Sequence, residues 1–340
     1  MKKCALIIIG LHFAILQLYA QPKPSRIEKK SFSNVTEVRF EHSYGNITVT
    51  ESESKQIELE IQYFDRKNTK PVCDISVAEK TLNITTKIPH DWNDWNFGNN
   101  NKIGIDYIIS IPRNVDMNVN LKYGNMNIDN FYGDFTGAFA YGNLNAGTFF
   151  SSPVNISSKY SNIRIDKADV LNLSIYYANI DVNTINTFEI QSKYCKSRIG
   201  KSETVKADCS YGNIDIDSVI EFSGELRYNP ASVKKLDKTL NLDCSYSSVR
   251  INDSSKQLET VNFDGSYSNL ELKLDPDLSA DLSVDLKYGA LSVDNRYKVK
   301  YSFSEKDHRE IVKKGVIGDK TPTATINISN SYANVSIIKN

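Results

Sequence analysis

The sequence is poor in the residues that mark several large classes of protein. Its 41 basic and 41 acidic residues give no net charge, so neither nucleic acid nor an anionic membrane surface is predicted as a partner. Only 4 His, 5 Cys and 2 Trp occur among 340 residues. None of the histidines shows metal-ligand spacing or stands beside a nucleophile motif, so we expect no catalytic residues.

Long apolar runs are also scarce, and the one that occurs lies at the N-terminus. Two lysines precede an apolar stretch from Ala5 to Leu18, and Ala20 is the small residue that a signal peptidase needs. We therefore expect residues 1–20 to be a cleaved signal peptide and the protein to be exported, to the periplasm or to the cell surface. No later run approaches the ~20 apolar residues of a membrane helix, so no transmembrane segment is predicted.

The strongest pattern is an internal repeat that begins with tyrosine. Each copy has a tyrosine, a small residue and usually an asparagine, followed by alternating apolar residues. Clear copies begin at Tyr44, Tyr123, Tyr141, Tyr160, Tyr177, Tyr211, Tyr267 and Tyr332, and degenerate copies at Tyr194, Tyr228, Tyr246 and Tyr288. From Tyr123 to Tyr288 the successive tyrosines are 17 to 21 residues apart. This regularity indicates stacked structural units.

The residues around each tyrosine predict two short strands joined by a corner. Every second residue before the tyrosine is mostly apolar, as in Leu171, Leu173 and Ile175. After the tyrosine the apolar residues again alternate but occupy positions of the opposite parity, as in Ile214 and Ile216. Glycine tolerates positive φ and asparagine is the other residue most at ease there, so we expect these two residues to turn the chain. Stacked asparagine amides can also hydrogen-bond between units.

Units this short cannot fold alone, but they can stack ~4.8 Å apart. The repeat therefore predicts an all-β fold, a single-chain β-solenoid (β-helix) of about 17–21-residue rungs with capping strands at the N-terminal end. The alternative is an antiparallel sandwich, whose sequence would show hairpin signals instead of a constant phase.

Two segments interrupt the repeat and are expected to protect the ends of the solenoid. We expect a first rung and capping strands over 21–113, solenoid repeats over 114–296, and a C-terminal excursion with the last rung over 297–340. Within the excursion, a capping-box pattern at Ser304 predicts a short helix that ends near Gly315.

The order of these motifs resembles that of a known family. Tyr44-Gly45-Asn46-Ile47, the strand Ile105–Pro112 and the copy at Tyr123-Gly124-Asn125-Met126 resemble the bacterial putative adhesin family with β-helical repeats, which is related to the head GIN domain proteins. The resemblance extends over nearly the whole chain after about Ile27. It implies a β-helical extracytoplasmic domain of unknown biochemical activity, and it implies no catalytic residue.

The histidine and cysteine positions are typical of a core. His42 occupies an inward position two residues before Tyr44, so we expect it to be buried with its hydrogen bonds satisfied. Cys209 and Cys244 share an inward column two rungs apart, about 9.6 Å, which is too far for a disulfide. Cys195 replaces a corner glycine and Cys73 lies in the N-terminal cap. We expect free, mostly buried thiols, and a bridge to Cys73 stays open.

One outward column is acidic. The residue three positions before the tyrosine is an acid in five repeats: Asp208, Glu225, Asp243, Asp264 and Asp285. Like charges opposite each other on neighbouring strands are destabilising, so five acids on successive rungs need compensation. Either neighbouring cations such as Arg227 and Lys287 supply it, or the column binds a divalent cation, for which calcium is the candidate. We expect no other cofactor.

Both tryptophans fall in one polar segment. Trp92, Trp95 and Phe97 lie among Asn and Asp residues between His90 and Asn101. Exposed aromatic rings with amides and carboxylates suit the faces and hydroxyls of sugars, so these three residues are candidate ligand contacts. The alternative is that the rings cover the end of the solenoid.

Together these features favour an exported, noncatalytic β-solenoid, an adhesin-like binding or structural module of the bacterial cell envelope. Its partner would be a glycan, another envelope component or a surface protein. The alternative is a carbohydrate-active enzyme, a lyase or glycosidase, on a β-helix.

Overall fold

The computed structural model describes residues 22–66, 69–89 and 102–340. These residues form strands, turns and loops, and no helix occurs among them. The predicted all-β class is confirmed. The predicted signal peptide lies outside the described residues, and so does the segment 90–101, which contains both tryptophans.

The N-terminal region contains the first rung and the strands that cap it. Its strands are β1 (Arg26–Phe32), β2 (Glu37–Ser43), β3 (Ile47–Glu51), β4 (Ile57–Phe64), β5 (Val72–Ala78), β6 (Thr81–Lys87) and β7 (Gly104–Ile111). The first rung is formed by β2 and β3. On its N-terminal side β6 and β7 pair with it in parallel, and β5 and β4 then pair antiparallel to β6 and β7. The predicted capping strands are therefore present.

The solenoid continues with parallel rungs. Its strands are β8 (Asp116–Lys122), β9 (Asn125–Phe131), β10 (Phe135–Ala140), β11 (Asn143–Phe149), β12 (Val154–Lys159), β13 (Asn162–Tyr176), β14 (Asn179–Lys193), β15 (Lys196–Ser210), β16 (Asn213–Arg227), β17 (Ala231–Ser245), β18 (Ser248–Ile251), β19 (Thr260–Ser266) and β20 (Asn269–Leu274). Each residue pairs with the equivalent residue of the next rung, as Leu173 does with Ile190 and Ile163 with Ile180. This register confirms the predicted β-solenoid.

Each rung contributes one strand to each of two faces. The strand before the tyrosine belongs to what we call the leading face, and the strand after it to the trailing face. From β13 to β17 the trailing strand of one rung runs on into the leading strand of the next, which gives continuous strands of 15 residues. The alternating apolar residues of both faces are buried in one core, as the sequence pattern predicts.

The C-terminal region departs from the order of the sequence. Its strands are β21 (Ala280–Lys287), β22 (Leu291–Val293), β23 (Val299–Lys306), β24 (Glu310–Ile317), β25 (Ala324–Ser331) and β26 (Val335–Lys339). Strand β25 pairs in parallel with both β19 and β21, and β26 with both β20 and β22. The last rung of the chain is thus inserted between two earlier rungs, where its inward residues Ile326 and Ile328 are buried opposite Val261 and Phe263.

The predicted helix between Ser304 and Gly315 is wrong. The segment is an antiparallel hairpin of β23 and β24, and β24 also pairs with β21. The acidic residue of the capping-box pattern, Asp307, accepts hydrogen bonds from the backbone N–H groups of Arg309 and Glu310. It therefore stabilises the turn of a hairpin instead of the first turn of a helix.

The corner is built differently from the prediction. The residue with positive φ is the tyrosine itself, with φ between 49° and 59° in all twelve copies, and neither the glycine nor the asparagine. Glycine follows the tyrosine in five of the twelve copies, and there the backbone of the neighbouring rung lies very close. A methyl group on Gly142 would lie 1.7 Å from the carbonyl oxygen of Gly124 on the neighbouring rung. Propensity alone assigned the left-handed conformation to the wrong residue of the motif.

Candidate functional site

The corner tyrosines form one continuous stack along the molecule, which we call the tyrosine ladder. In spatial order its members are Tyr44, Tyr123, Tyr141, Tyr160, Tyr177, Tyr194, Tyr211, Tyr228, Tyr246, Tyr267, Tyr332 and Tyr288. Neighbouring ring centroids are 4.7 to 5.2 Å apart and the ring planes are within 15° of parallel. From Tyr123 onward each tyrosine is between 45% and 52% exposed. The ladder is therefore a surface feature.

A row of asparagine amides runs beside the first part of the ladder. The Nδ2 groups of Asn143 and Asn162 each donate to the Oδ1 atom of the asparagine on the preceding rung, over 2.8 Å. The same Oδ1 atoms accept a second hydrogen bond, from the backbone N–H of the asparagine on the next rung. The Asn143 nitrogen, for example, is 3.2 Å from the Asn125 Oδ1 atom. The predicted hydrogen bonding between stacked asparagines is confirmed.

The rings and the amides border a groove, which we call the tyrosine groove. It has a volume of about 610 Å³ and is lined by Tyr44, Gly45, Asn46, Lys102, Ile103, Tyr123, Gly124, Asn125, Tyr141, Gly142, Asn143 and Tyr160. Stacking covers the ring faces, so the exposed part of each tyrosine consists of the ring edge and its hydroxyl. The groove thus presents hydroxyls, amides and apolar ring edges at a repeat of about 5 Å.

The candidate sugar-contacting residues Trp92, Trp95 and Phe97 lie outside the described residues. Their role stays a prediction. Lys102, the first described residue after that segment, lines the tyrosine groove. Its ammonium group contacts the Phe64 ring and forms an ion pair with Asp106.

The acidic column lies on the leading face, in a second groove of about 630 Å³. Asp208, Glu225, Asp243 and Asp264 are opposite one another on consecutive strands. Asp285 is not the next member, because Ser329 of the inserted strand β25 lies opposite both Asp264 and Asp285. The prediction of five successive acids is therefore wrong, and four acids are consecutive.

The two predicted compensating cations behave differently. Arg227 donates to the carboxylate of Glu225 over 2.7 Å, so one acid of the column has a neighbouring cation. No ion pair between Lys287 and Asp285 occurs among the described residues. Across the described part of the chain, no three His, Cys, Asp or Glu side chains cluster in a way that would hold a metal ion. The calcium site stays a prediction.

His42 lies in a buried polar network under the N-terminal cap. Its Nδ1 atom is 2.8 Å from the Thr86 hydroxyl, which is 2.7 Å from the Tyr107 hydroxyl. Its Nε2 atom faces the backbone of Gly45 and Ile105 without a well-formed hydrogen bond. The prediction of a buried histidine is confirmed, but only one of its two ring nitrogens is well satisfied. Burial lowers the pKa of His42 to about 4, so it is not poised as a general base near neutral pH.

The four cysteines of the described residues form no disulfide. Cys73, Cys195, Cys209 and Cys244 are free thiols, and the last three are buried. Burial raises the pKa of Cys209 to about 11 and that of Cys244 to about 12, so neither is activated as a nucleophile. The prediction of free, mostly buried thiols is confirmed, and the option of a bridge to Cys73 is not realised.

Sequence reasoning identified every tyrosine of the ladder but treated them as markers of the rung. The available signal was that a large amphipathic side chain recurs at one phase of a stacked repeat. Residues at one phase must lie above one another, so the rings had to stack. The tyrosine ladder could therefore have been predicted as a surface.

The stacked rungs with their regular corners define a β-solenoid repeat protein. The Toastrack DUF4097 family matches residues 35–337, which is most of the sequence, and the chain belongs to this family. This match agrees with the resemblance found in the sequence. Comparison with curated proteins gave no significant match. No helix in the described part of the chain is long and apolar enough to span a membrane.

Two solved structures are similar to 94% of this chain over 100% of their own length. One is a putative cell adhesion protein from Clostridium sporogenes, with 13% sequence identity and a TM-score of 0.22. The other is a putative adhesin from Bacteroides fragilis, with 12% identity and a TM-score of 0.26. At these values neither similarity supports an argument about function.

The first prediction concerns repulsion within the acidic column. Asp243 lies between Glu225 and Asp264, so changing Asp243→Asn removes a charge that has acids opposite it on both sides. In chelator the melting temperature should rise, by the equivalent of about 0.2–1 kcal/mol for each relieved pair. Asp285→Asn is the matched control, because Ser329 separates Asp285 from the column.

If calcium binds the acidic column, the order of stability of the wild type and the Asp243→Asn variant should reverse. In millimolar calcium the wild type should then be more stable than the Asp243→Asn variant, since ion binding to the native state stabilises it. A melting temperature that ignores calcium, together with a neutral Asp243→Asn variant, would show that the column is only a solvated face.

The second prediction concerns His42 and pH. Its pKa is about 4 in the folded state against 6.5 ordinarily, so below pH 6.5 the unfolded chain binds a proton that the folded chain excludes. The contribution of His42 to the free energy of unfolding should be constant above pH 6.5. It should fall toward pH 4, by on the order of 3 kcal/mol. Asp106 opposes this fall in stability and Lys102 adds to it. Denaturant unfolding at several pH values measures the slope.

The His42→Gln variant should lose this slope, because its amide can bond Thr86 but does not titrate. His308→Gln, at an exposed position outside this network, is the control for the loss of one histidine. An unchanged slope in His42→Gln would contradict the assignment.

Proposed function

We propose that this protein is an exported, noncatalytic, adhesin-like binding module of the cell envelope, and that the tyrosine groove is its ligand-binding surface. The observation that carries the proposal is the continuous exposed ladder of tyrosines beside a row of asparagine amides. Large exposed arrays of aromatic side chains are unusual on soluble proteins and are typical of interaction sites.

The chemistry of the groove favours an extended glycan as the ligand. Phenol hydroxyls and amides can both donate and accept hydrogen bonds, which suits sugar hydroxyls, and the positively polarised ring edges suit the oxygen atoms of a sugar. The repeat of these groups along the solenoid fits a linear polymer better than a compact molecule.

The lining of the groove supports binding without turnover. A glycosidase places two carboxyl groups on either side of the bond that it breaks. The described residues that line the tyrosine groove are Tyr, Gly, Asn, Ile and Lys, with no carboxylate among them. The hydroxyl–imidazole pair of Thr86 and His42 lies in the core, where His42 is 4% exposed, so it is closed to a polymer.

Export is supported by the sequence of residues 1–20, which has the lysines, the apolar run and the small residue of a secretory signal. Placement in the periplasm or on the cell surface is compatible with this feature. The glycan would then be a component of the envelope or of a surface that the cell contacts.

The proposal predicts that hydroxyls of the groove contribute to glycan binding. Soluble linear polysaccharides are first screened on an array, and the strongest binder is titrated by calorimetry. Changing Tyr123, Tyr141 and Tyr160 together to Phe keeps the stacked rings but removes three hydroxyls, so affinity should fall about tenfold or more. Changing Tyr246, Tyr267 and Tyr332 to Phe is the control, because these rings do not line the groove.

Two results would contradict the proposal. Equal affinity of the two triple variants and the wild type would exclude the tyrosine groove as the site, and absence of binding to every polysaccharide would exclude the ligand class. A rise in reducing ends or unsaturated sugars during incubation would show turnover. The hypothesis of a carbohydrate-active enzyme would then replace that of a noncatalytic binding module.

A further inference from the structure

Among the described strands, the leading face ends in a strand with one unpaired edge at each of its two ends. Its strands follow one another in the order β5, β6, β2, β8, β10, β12, then the second halves of β13 to β17, then β19, β25, β21, β24 and β23. Among the described strands β5 pairs only with β6, and β23 only with β24. One continuous face therefore has β5 as its first edge and β23 as its last.

Exposed apolar side chains concentrate on these edges. Outside the tyrosine ladder, the exposed large apolar residues in the described part of the chain are Ile27, Val72, Val77, Ile108, Phe150, Tyr176, Tyr301 and Phe303. Val72 and Val77 belong to β5, and Tyr301 and Phe303 to β23, with 39% to 51% of each side chain exposed. Half of this set thus lies on two strands at opposite ends of one face.

The trailing face is protected at both of its ends, whereas the leading face lacks these defences at its β5 end. The outer strand β1 carries Arg26, Lys29 and Lys30, and the outer strand at the other end, β22, has only three residues. Charged side chains and short edge strands are the usual defences against edge-to-edge pairing. Strand β5 has seven residues, contains Asp74 as its single charged residue and has no proline.

The charges of the two open edges are complementary. Strand β5 has a net charge of −1 from Asp74, which forms an ion pair with Lys87 of β6, while β23 has a net charge of +1 from Lys300 and Lys306 against Glu305. Strand directions also agree. Strand β5 runs antiparallel to the rungs, through β6, and β23 runs parallel to them, through β24 and β21. Two copies stacked in the same orientation would therefore bring β23 against β5 as an antiparallel pair.

We propose that the partner of each open edge is a second copy of this chain, with β23 of one molecule pairing with β5 of the next. The contact is heterologous, because two different surfaces meet. Its two halves lie at opposite ends of the molecule, so pairing does not close and copies add end to end. The leading face then continues from one copy to the next, and each assembly carries one tyrosine groove per copy, which would increase avidity for a polymeric ligand.

The test uses two charge substitutions that each disable one edge. Val77→Lys alters β5, and Phe303→Lys alters β23. The wild-type protein should grow in size with concentration in sedimentation velocity, whereas either variant alone should stay monomeric, with the apparent dissociation constant raised at least tenfold. An equimolar mixture of the two variants should give dimers and nothing larger, because one intact β23 edge meets one intact β5 edge.

Ile108→Lys provides the matched control, because Ile108 is an exposed apolar residue on β7, a strand that is paired on both sides. It should assemble as the wild type does. Circular dichroism and melting temperature show that each variant is folded, and Val72→Lys with Tyr301→Lys form a second pair for the same mixing experiment. A monomeric wild type at all concentrations, growth of either single variant, or a mixture that stays monomeric would overturn the proposal.

Discussion

The structure depends on a tyrosine held in the left-handed backbone region at the corner of every rung. For a side chain of this size that conformation costs roughly 1–2 kcal/mol. Stacked aromatic pairs contribute about 0.5–1.5 kcal/mol beyond the area that they bury, and each inner tyrosine belongs to two pairs. Stacking can therefore offset the strain, but only when neighbouring rungs adopt the same corner. The tyrosine ladder thus ties the conformation of each rung to that of its neighbours.

The same constraint explains the rest of the corner. With the tyrosine turning the chain, the next residue lies close to the neighbouring rung. Gly142 has no room for a methyl group beside Gly124, whereas seven of the twelve corners have Ser, Ala, Cys or Asn at this position. The following asparagine bonds to the asparagine of the preceding rung. Rings, close backbone contact and amides therefore repeat at one spacing, and the features that hold the solenoid together also form the groove proposed to bind a glycan.

Much of this architecture could be predicted from the sequence, because the phase of a repeat determines which residues stack. The buried column of Leu171, Leu173 and Ile175 and the two-rung separation of Cys209 and Cys244 followed directly. Rung order could not be predicted, because strand β25 has the inward pattern of any other rung and fits between β19 and β21. The consecutive run of acids consequently ended at Ser329, opposite Asp264. Backbone propensity also misassigned the corner, since it takes no account of stacking between rungs.

The central claim is that stacking, and not the preference of the backbone, holds the corner. Tyr160, with ring neighbours 5.0 Å away on both sides, allows a direct test. Tyr160→Gly relieves the left-handed strain and removes two stacked pairs, while Tyr160→Phe keeps the stack. Thermal unfolding should show a clear loss of melting temperature for Tyr160→Gly and almost none for Tyr160→Phe. A melting temperature of Tyr160→Gly at or above that of the wild type would contradict the account.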